Sequence, residues 1–149
     1  MSVEDIEALV MVSGNKDPTR ITNLCNRSAV WWSSYGYGVW IIVDPNGDQV
    51  IGWCGLRPEP LPDSPELFFG LSPESRGQGL ATEAATTVIR YVLGHDSVAS
   101  VWAATEHSNE GSVGVMQRAG MLREGRRTLD GVDSVIYRIN KPDTSNHQD

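Results

Sequence analysis

Apolar residues recur along this chain with two different periods. Val39 to Val43 (Val-Trp-Ile-Ile-Val) is a short apolar run that reads as a strand, and Pro45-Asn46-Gly47-Asp48 behind it is a hairpin signal. The return strand is expected from Gln49 to about Leu56, and Arg57-Pro58-Glu59-Pro60-Leu61-Pro62-Asp63 reads as a proline-rich loop. Glu66-Leu67-Phe68-Phe69-Gly70-Leu71 is a third strand, stopped by Ser72-Pro73-Glu74-Ser75, and the three most simply form an antiparallel meander. Further on, Val101, Ala103 and Thr105 alternate with Trp102 and Ala104 over Ser100 to Thr105. A last pair of strands, Arg123 to Thr128 and Ser134 to Ile139, surrounds Asp130-Gly131.

Between these runs the spacing turns helical. Ser2 followed by Asp5 resembles a helix cap, with Ile6, Leu9 and Val10 on one face and a stop at Ser13-Gly14-Asn15. Pro18-Thr19 opens a second helix with a stripe of Ile21, Leu24, Cys25, Ser28, Ala29 and Trp32, leading to a loop at Tyr35-Gly36-Tyr37-Gly38. Trp31 and Trp32 read first as core and second as a substrate wall. Leu80, Ala84, Val88 and Tyr91/Val92 mark a third helix, ended by Arg90 and Gly94. Asn109 or Ser108 caps a fourth, carrying Val113, Met116 and Ala119, with Gly120 as a left-handed stop and Met121 as its apolar contact. The interior glycines Gly111 and Gly114 weaken that helix. No repeat or linker interrupts the order. A single domain is expected over residues 1–140, followed by a polar, disordered tail at 141–149.

Composition narrows the function. A net charge of −7 argues against nucleic acid, whose phosphates call for clustered Lys and Arg, and is compatible with a cationic acceptor. Cys25 and Cys54 are too few and too scattered for a zinc set or a disulfide framework, so reduced thiols and no metal are expected. Met1 to Val12 carries Glu4, Asp5 and Glu7 and lacks a basic leader, and no apolar run approaches membrane-spanning length. A cytoplasmic protein with no membrane partner is expected.

The chemistry concentrates between the third strand and the third helix, at Arg76-Gly77-Gln78-Gly79-Leu80-Ala81. A helix N-terminus has unsatisfied N–H groups and partial positive charge. Two glycines let backbone amides curl round an anion, and Arg76 adds a planar cation suited to phosphate oxygens. The plain alternative is a glycine-eased turn with a solvated arginine. A Walker loop is excluded, because no Gly-Lys-Ser/Thr follows. Gly77-x-Gly79-x-x-Thr82 is a near miss to the dinucleotide fingerprint, but Thr82 replaces the third glycine and the strand ends about five residues too early for its tight turn.

Arg76-x-x-Gly79-x-Ala81 after such a strand resembles the Q/R-x-x-G-x-G/A motif of the GCN5-related N-acetyltransferases (GNAT). The wider run Pro73 to Ala84 is similar to their ribosomal-protein N-terminal acetyltransferase-like branch. Asn109-x-x-Ser112 followed by Gly120-Met121 resembles the family's N-x-x-S…G-F segment, with Met in place of the aromatic. The order α-α-β-β-β-α-β-α-β-β matches that fold over nearly the whole chain. The resemblance implies an α/β (α+β) fold, with a central mixed, mostly antiparallel sheet flanked by helices. It also implies an N-acetyltransferase that passes the acetyl group of acetyl-CoA directly to a primary amine, a small molecule or a peptide N-terminus.

On that resemblance, Arg76, Gly77, Gln78, Gly79, Leu80 and Ala81 bind pyrophosphate, while Phe69, Gly70 and Leu71 pair with pantetheine as with an added strand. A backbone N–H of Gly70 or Leu71 would face the thioester oxygen, Asn109 would contact the pantetheine arm, and Ser112 would lie near the sulfur. Glu66 stands where many relatives carry a catalytic Glu. The alternative is a solvated strand-end carboxylate, with Glu106 and His107 next in line as base. The position at which some relatives have an acidic tyrosine is Met116. Two other functions stay open, an acyl-CoA-binding module without turnover and a nucleotide-binding α/β protein. The family's initial strand has no counterpart before the helix read at Ser2, which leaves Val39 to Val43 as an uncovered apolar edge. A homodimer through that edge is the favoured cover.

Overall fold

The structure, a computed structural model, describes residues 18–143. The helix read at Ser2 to Val12 and the tail residues 144–149 lie outside the described residues. Helix α1 (Pro18–Tyr35) is followed by β1 (Val39–Val43), β2 (Val50–Leu61) and β3 (Ser64–Leu71). A 3-10 turn at Pro73–Ser75 leads into α2 (Leu80–Leu93). Then come β4 (Ser100–Glu106), α3 (Glu110–Arg118), β5 (Leu122–Leu129) and β6 (Val132–Asn140). The six strands make one sheet in the order β1-β2-β3-β4-β6-β5. Among the described residues only the β3–β4 pair is parallel, as a mixed, mostly antiparallel sheet requires.

Alternation sorts the strand residues onto two faces. Leu56, Leu67, Val101, Ala103, Val135 and Tyr137 form the core with Ala85, Val88, Ile89 and Val92 of α2 and with Val115, Met116 and Ala119 of α3. Each such side chain taken fully from water contributes about 1.5–3 kcal/mol. The third helix therefore faces inward on Ala85, Val88, Ile89 and Val92, a phase slightly different from the expected Leu80–Ala84–Val88–Tyr91 stripe. Leu80 and Ala84 are half-buried and Tyr91 is exposed, because they turn to a groove beside β1. In α1, Ala29 is exposed and Trp31 is buried in its place. Trp32 packs edge-on against Trp40 at 4.7 Å, and Ser28 Oγ accepts the Val39 N–H at 3.0 Å, which seats α1 on the start of β1.

The segment Arg57 to Asp63 corrects the expected loop. β2 runs to Leu61 and β3 starts at Ser64, with Leu61 opposite Ser64. The prolines are tolerated because the pairing register shifts between Arg57 and Leu61, so the ladder does not need their missing N–H groups. At the end of α3, Gly120 has φ +91° and Met121 N–H donates to Met116 O at 3.0 Å, the left-handed stop expected from Gly120-Met121. Lys141 is tied to the fold, its Nζ donating to His95 O at 2.6 Å.

The sheet opens between β3 and β4. Their ladder pairing is limited to Glu66 opposite Trp102, with Ser64 Oγ 2.6 Å from Ser100 Oγ beside it, and Phe69 to Leu71 have no register partner on β4.

Candidate functional site

A cavity of about 700 Å³ lies at the end of β3, against the starts of α2 and α3. It brings together Phe69, Gly70 and Leu71 from the end of β3 with Arg76, Gly77, Gly79, Leu80 and Ala81 from the loop and first turn of α2. Asn109 and Ser112 from the start of α3 complete the wall. These are residues that the sequence placed at a site. Gln78 is not among the lining residues, and its amide Nε2 donates to Glu74 O at 3.4 Å, bracing the loop from outside.

The loop is built for backbone donors. Ser75 N–H donates to Ser72 O at 3.0 Å and Arg76 Nε to Leu71 O at 3.3 Å, which turns the chain sharply off β3. Gly77 and Gly79 both adopt φ +77°, and a Cβ at either would meet nothing within 4 Å. Their need for glycine is therefore conformational rather than steric. Gly79 caps α2 without any side-chain hydrogen bond, so the first-turn N–H groups have no capping side chain. Unsatisfied donors, a helix dipole and the Arg76 guanidinium converge at one place, which suits a phosphate group.

Asn109 caps α3, its side-chain oxygen accepting the Ser112 N–H at 3.1 Å. That bond fixes the first turn of α3, and both residues line the cavity. Met116 is buried in the core. Thr82, Gly111, Val115 and Arg118 also line the cavity and were not singled out from the sequence. The signal was available for α3, since Gly111, Val115 and Arg118 recur at helical spacing beside Ser112.

Glu66 lies elsewhere. It shares a face with its partners Arg57 and Trp102, on the side of β3 opposite the core residue Leu67, and it does not line the cavity. Its Oε1 is 3.3 Å from Arg57 Nε, an electrostatic approach rather than a hydrogen bond, since that buried Nε has no bonding partner. Arg57 Cζ stands 4.1 Å from the centre of the Phe68 ring. Burial raises the Glu66 carboxyl above the ordinary glutamate range, opposed by Arg57 and reinforced by Glu59. Glu106 and His107 are exposed at the end of β4. Among the described residues, no group of three or more His, Cys, Asp or Glu is placed to hold a metal, and no helix is long and apolar enough to cross a membrane.

Comparison with known proteins gives a concordant result. A family model described as an acetyltransferase (GNAT) domain matches residues 3–122. The uncharacterized N-acetyltransferase YjdG of Bacillus subtilis is 28% identical over 88 residues, covering 58% of this chain and 52% of that protein. The chain thus spans about half the length of that curated relative. Among solved structures, an acetyltransferase from Agrobacterium tumefaciens superposes with TM-score 0.78 at 19% identity, over 94% of this chain and 87% of the other. RimL, a ribosomal L7/L12 α-N-protein acetyltransferase solved with coenzyme A, superposes with TM-score 0.70 at 14% identity, over 86% and 75% of the two chains.

Proposed function

The chain belongs to the GNAT acetyltransferase family, and from that premise we propose that it transfers the acetyl group of acetyl-CoA to a primary amine by direct attack in a ternary complex. The observation that carries this reading is the cavity itself. Loop donors for phosphate, an open β3 edge and the capped start of α3 line one space of about 700 Å³. The residues present fit the carrier: Arg76 and the α2 amides suit a pyrophosphate, and the exposed edge at Phe69 to Leu71 suits the amide-bearing pantetheine arm.

When bound, acetyl-CoA supplies the activated thioester carbonyl. The remaining work falls to the chain. Glu66, which does not line the cavity, accepts the proton of the attacking amine through water, and its raised pKa brings it nearer to that task than an ordinary glutamate. The N–H of Gly70 or Leu71 stabilises the negative charge that develops on the carbonyl oxygen. Ser112 Oγ–H passes a proton to the departing sulfur and takes one back from solvent, in balance with the proton accepted by Glu66. The acceptor is a small-molecule amine or a peptide N-terminus, and the reaction is assigned to the cytoplasm.

The ion pair of Glu66 with Arg57 favours a second reading, in which the fold binds acyl-CoA without turnover. Thiol release from acetyl-CoA against a panel of amines separates the two. Amine-dependent release supports transfer, whereas tight CoA binding with no release for any amine class supports the regulatory module. Failure to bind CoA at all overturns both.

We also propose a homodimer through β1. Among the described residues this strand pairs only with β2 and ends the sheet. Beside it lies an apolar groove of about 430 Å³, formed by Trp40 and Ile42 with Leu80, Ala84 and Tyr91 of α2.

A further inference from the structure

Two arginines line the central cavity, and the phosphate loop accounts for one of them. Arg76 belongs to that loop, while Arg118 comes from the last turn of α3. A cation in a last helical turn ordinarily serves the terminal carbonyls. Arg118 is turned the other way. Its Nε donates to Thr82 Oγ1 at 3.3 Å, joining α3 to the first turn of α2. Its guanidinium lies back over Gly114, where a Cβ would stand 3.0 Å from Nη1 and 3.2 Å from Nη2.

That arrangement explains a residue that the helix would otherwise do without. A glycine inside a helix costs about 1 kcal/mol relative to alanine. Here the missing Cβ leaves the space into which the guanidinium folds. With Nε committed to Thr82, Nη1 and Nη2 form no hydrogen bond or ion pair among the described residues. They present a planar pair of donors, the geometry that grips two oxygens of one phosphate. In a chain of net charge −7, two guanidiniums on one cavity are not explained by a generally basic surface.

We propose that Arg118 is the receptor for a second phosphate, the 3′-phosphomonoester on the ribose of coenzyme A, distinct from the pyrophosphate assigned to Arg76 and the α2 amides. The inference rests on the acetyl-CoA reading and deepens it, making Arg118 the residue that tells coenzyme A from its 3′-dephosphorylated form. Coenzyme A carries its charge in two places. The monoester bears about −1.5 to −2 at neutral pH and has the greater call on an unshared guanidinium.

Titration calorimetry with coenzyme A and with dephospho-coenzyme A tests this directly. Wild type is expected to bind coenzyme A about 10- to 100-fold more tightly, the loss that follows removal of a hydrogen bond to a charged group. Arg118→Ala, at an exposed position, is expected to bind both forms equally, at the level of wild type with the dephosphorylated form. Arg76→Ala is expected to weaken both forms and keep the preference. Equal weakening of both ligands by Arg118→Ala would put this arginine on the pyrophosphate and overturn the proposal, as would a wild type that binds both forms alike. A wild type that binds neither overturns the acetyl-CoA reading as well.

Discussion

The indole of Trp53 lies across Gly70, so that a Cβ added at Gly70 would stand 2.5 Å from Trp53 Cζ2 and 2.6 Å from Cη2. The two residues are partners across the β2–β3 ladder. Glycine at this position therefore has a packing reason on one face of the sheet, independent of any ligand reaching its backbone from the edge. Gly70→Ala is expected to cost about 1–3 kcal/mol, as overpacking generally does. Combining it with Trp53→Leu should recover part of that loss. Urea unfolding of the two single variants and the double variant measures the coupling, and simple additivity would show that the indole is not the obstacle.

Arg76→Ala is expected to weaken coenzyme A binding by about 1.5–3 kcal/mol, the worth of a hydrogen bond to a charged group. Pantetheine derivatives without phosphates should be nearly indifferent to the change. Calorimetry that finds equal losses for both ligands removes Arg76 from the phosphate site.

Glu66→Gln is expected to lower kcat by about 10²–10⁴-fold and to flatten the acidic limb of the pH–rate profile. Near-normal turnover would leave Glu66 a structural partner of Arg57. Stability gives a separate readout. The Glu66 carboxyl is raised in the folded state, chiefly by burial, so its contribution is full below the ordinary glutamate value of 4.5 and is lost as pH rises through the folded value. Glu66→Gln should therefore gain stability relative to wild type as pH rises through that window. A difference that stays constant with pH in denaturant titrations contradicts the raised carboxyl.

Sedimentation equilibrium at micromolar concentration is expected to show a dimer, and Ile41→Lys is expected to shift it toward monomer by placing a charge on the β1 edge. A wild-type monomer with slowly exchanging amides from Val39 to Val43 would mean that the edge is covered within one chain.

The parts of the fold that were legible in the sequence are those set by neighbouring residues. Val39 to Val43 has the bounds its apolar run suggests, and Asp130-Gly131 turns β5 into β6 with both residues at positive φ. Gly120-Met121 stops α3 through bonds that reach back only as far as Met116. The loop from Arg76 to Ala81 was equally local, a strand, two glycines and a helix in sequence. What escaped depends on register between distant segments. Prolines forbid a regular ladder, and nothing in Arg57 to Asp63 announces that the pairing shifts around them. Arg118 and Thr82 are 36 positions apart and meet only because α2 and α3 pack against the same sheet. The Arg57–Glu66 pair likewise follows from the β2–β3 register, which composition does not contain.

The single bridge between β3 and β4 has a thermal consequence. The sheet is two leaves, β1-β2-β3 and β4-β6-β5, joined along the stretch from Asp63 to Glu66, where Ser64 Oγ meets Ser100 Oγ and Arg138 Nη1 and Asp63 O accepts the Ala99 N–H, and by the helices packed against both. Along the open seam the backbone groups that a closed sheet would satisfy internally are left for solvent or for a guest. An extended guest with amides of its own acts as the missing thread, fastening one leaf to the other. Melting temperature should then climb with the logarithm of its concentration, and hydrogen exchange should slow on both leaves at once, including strands the guest never touches.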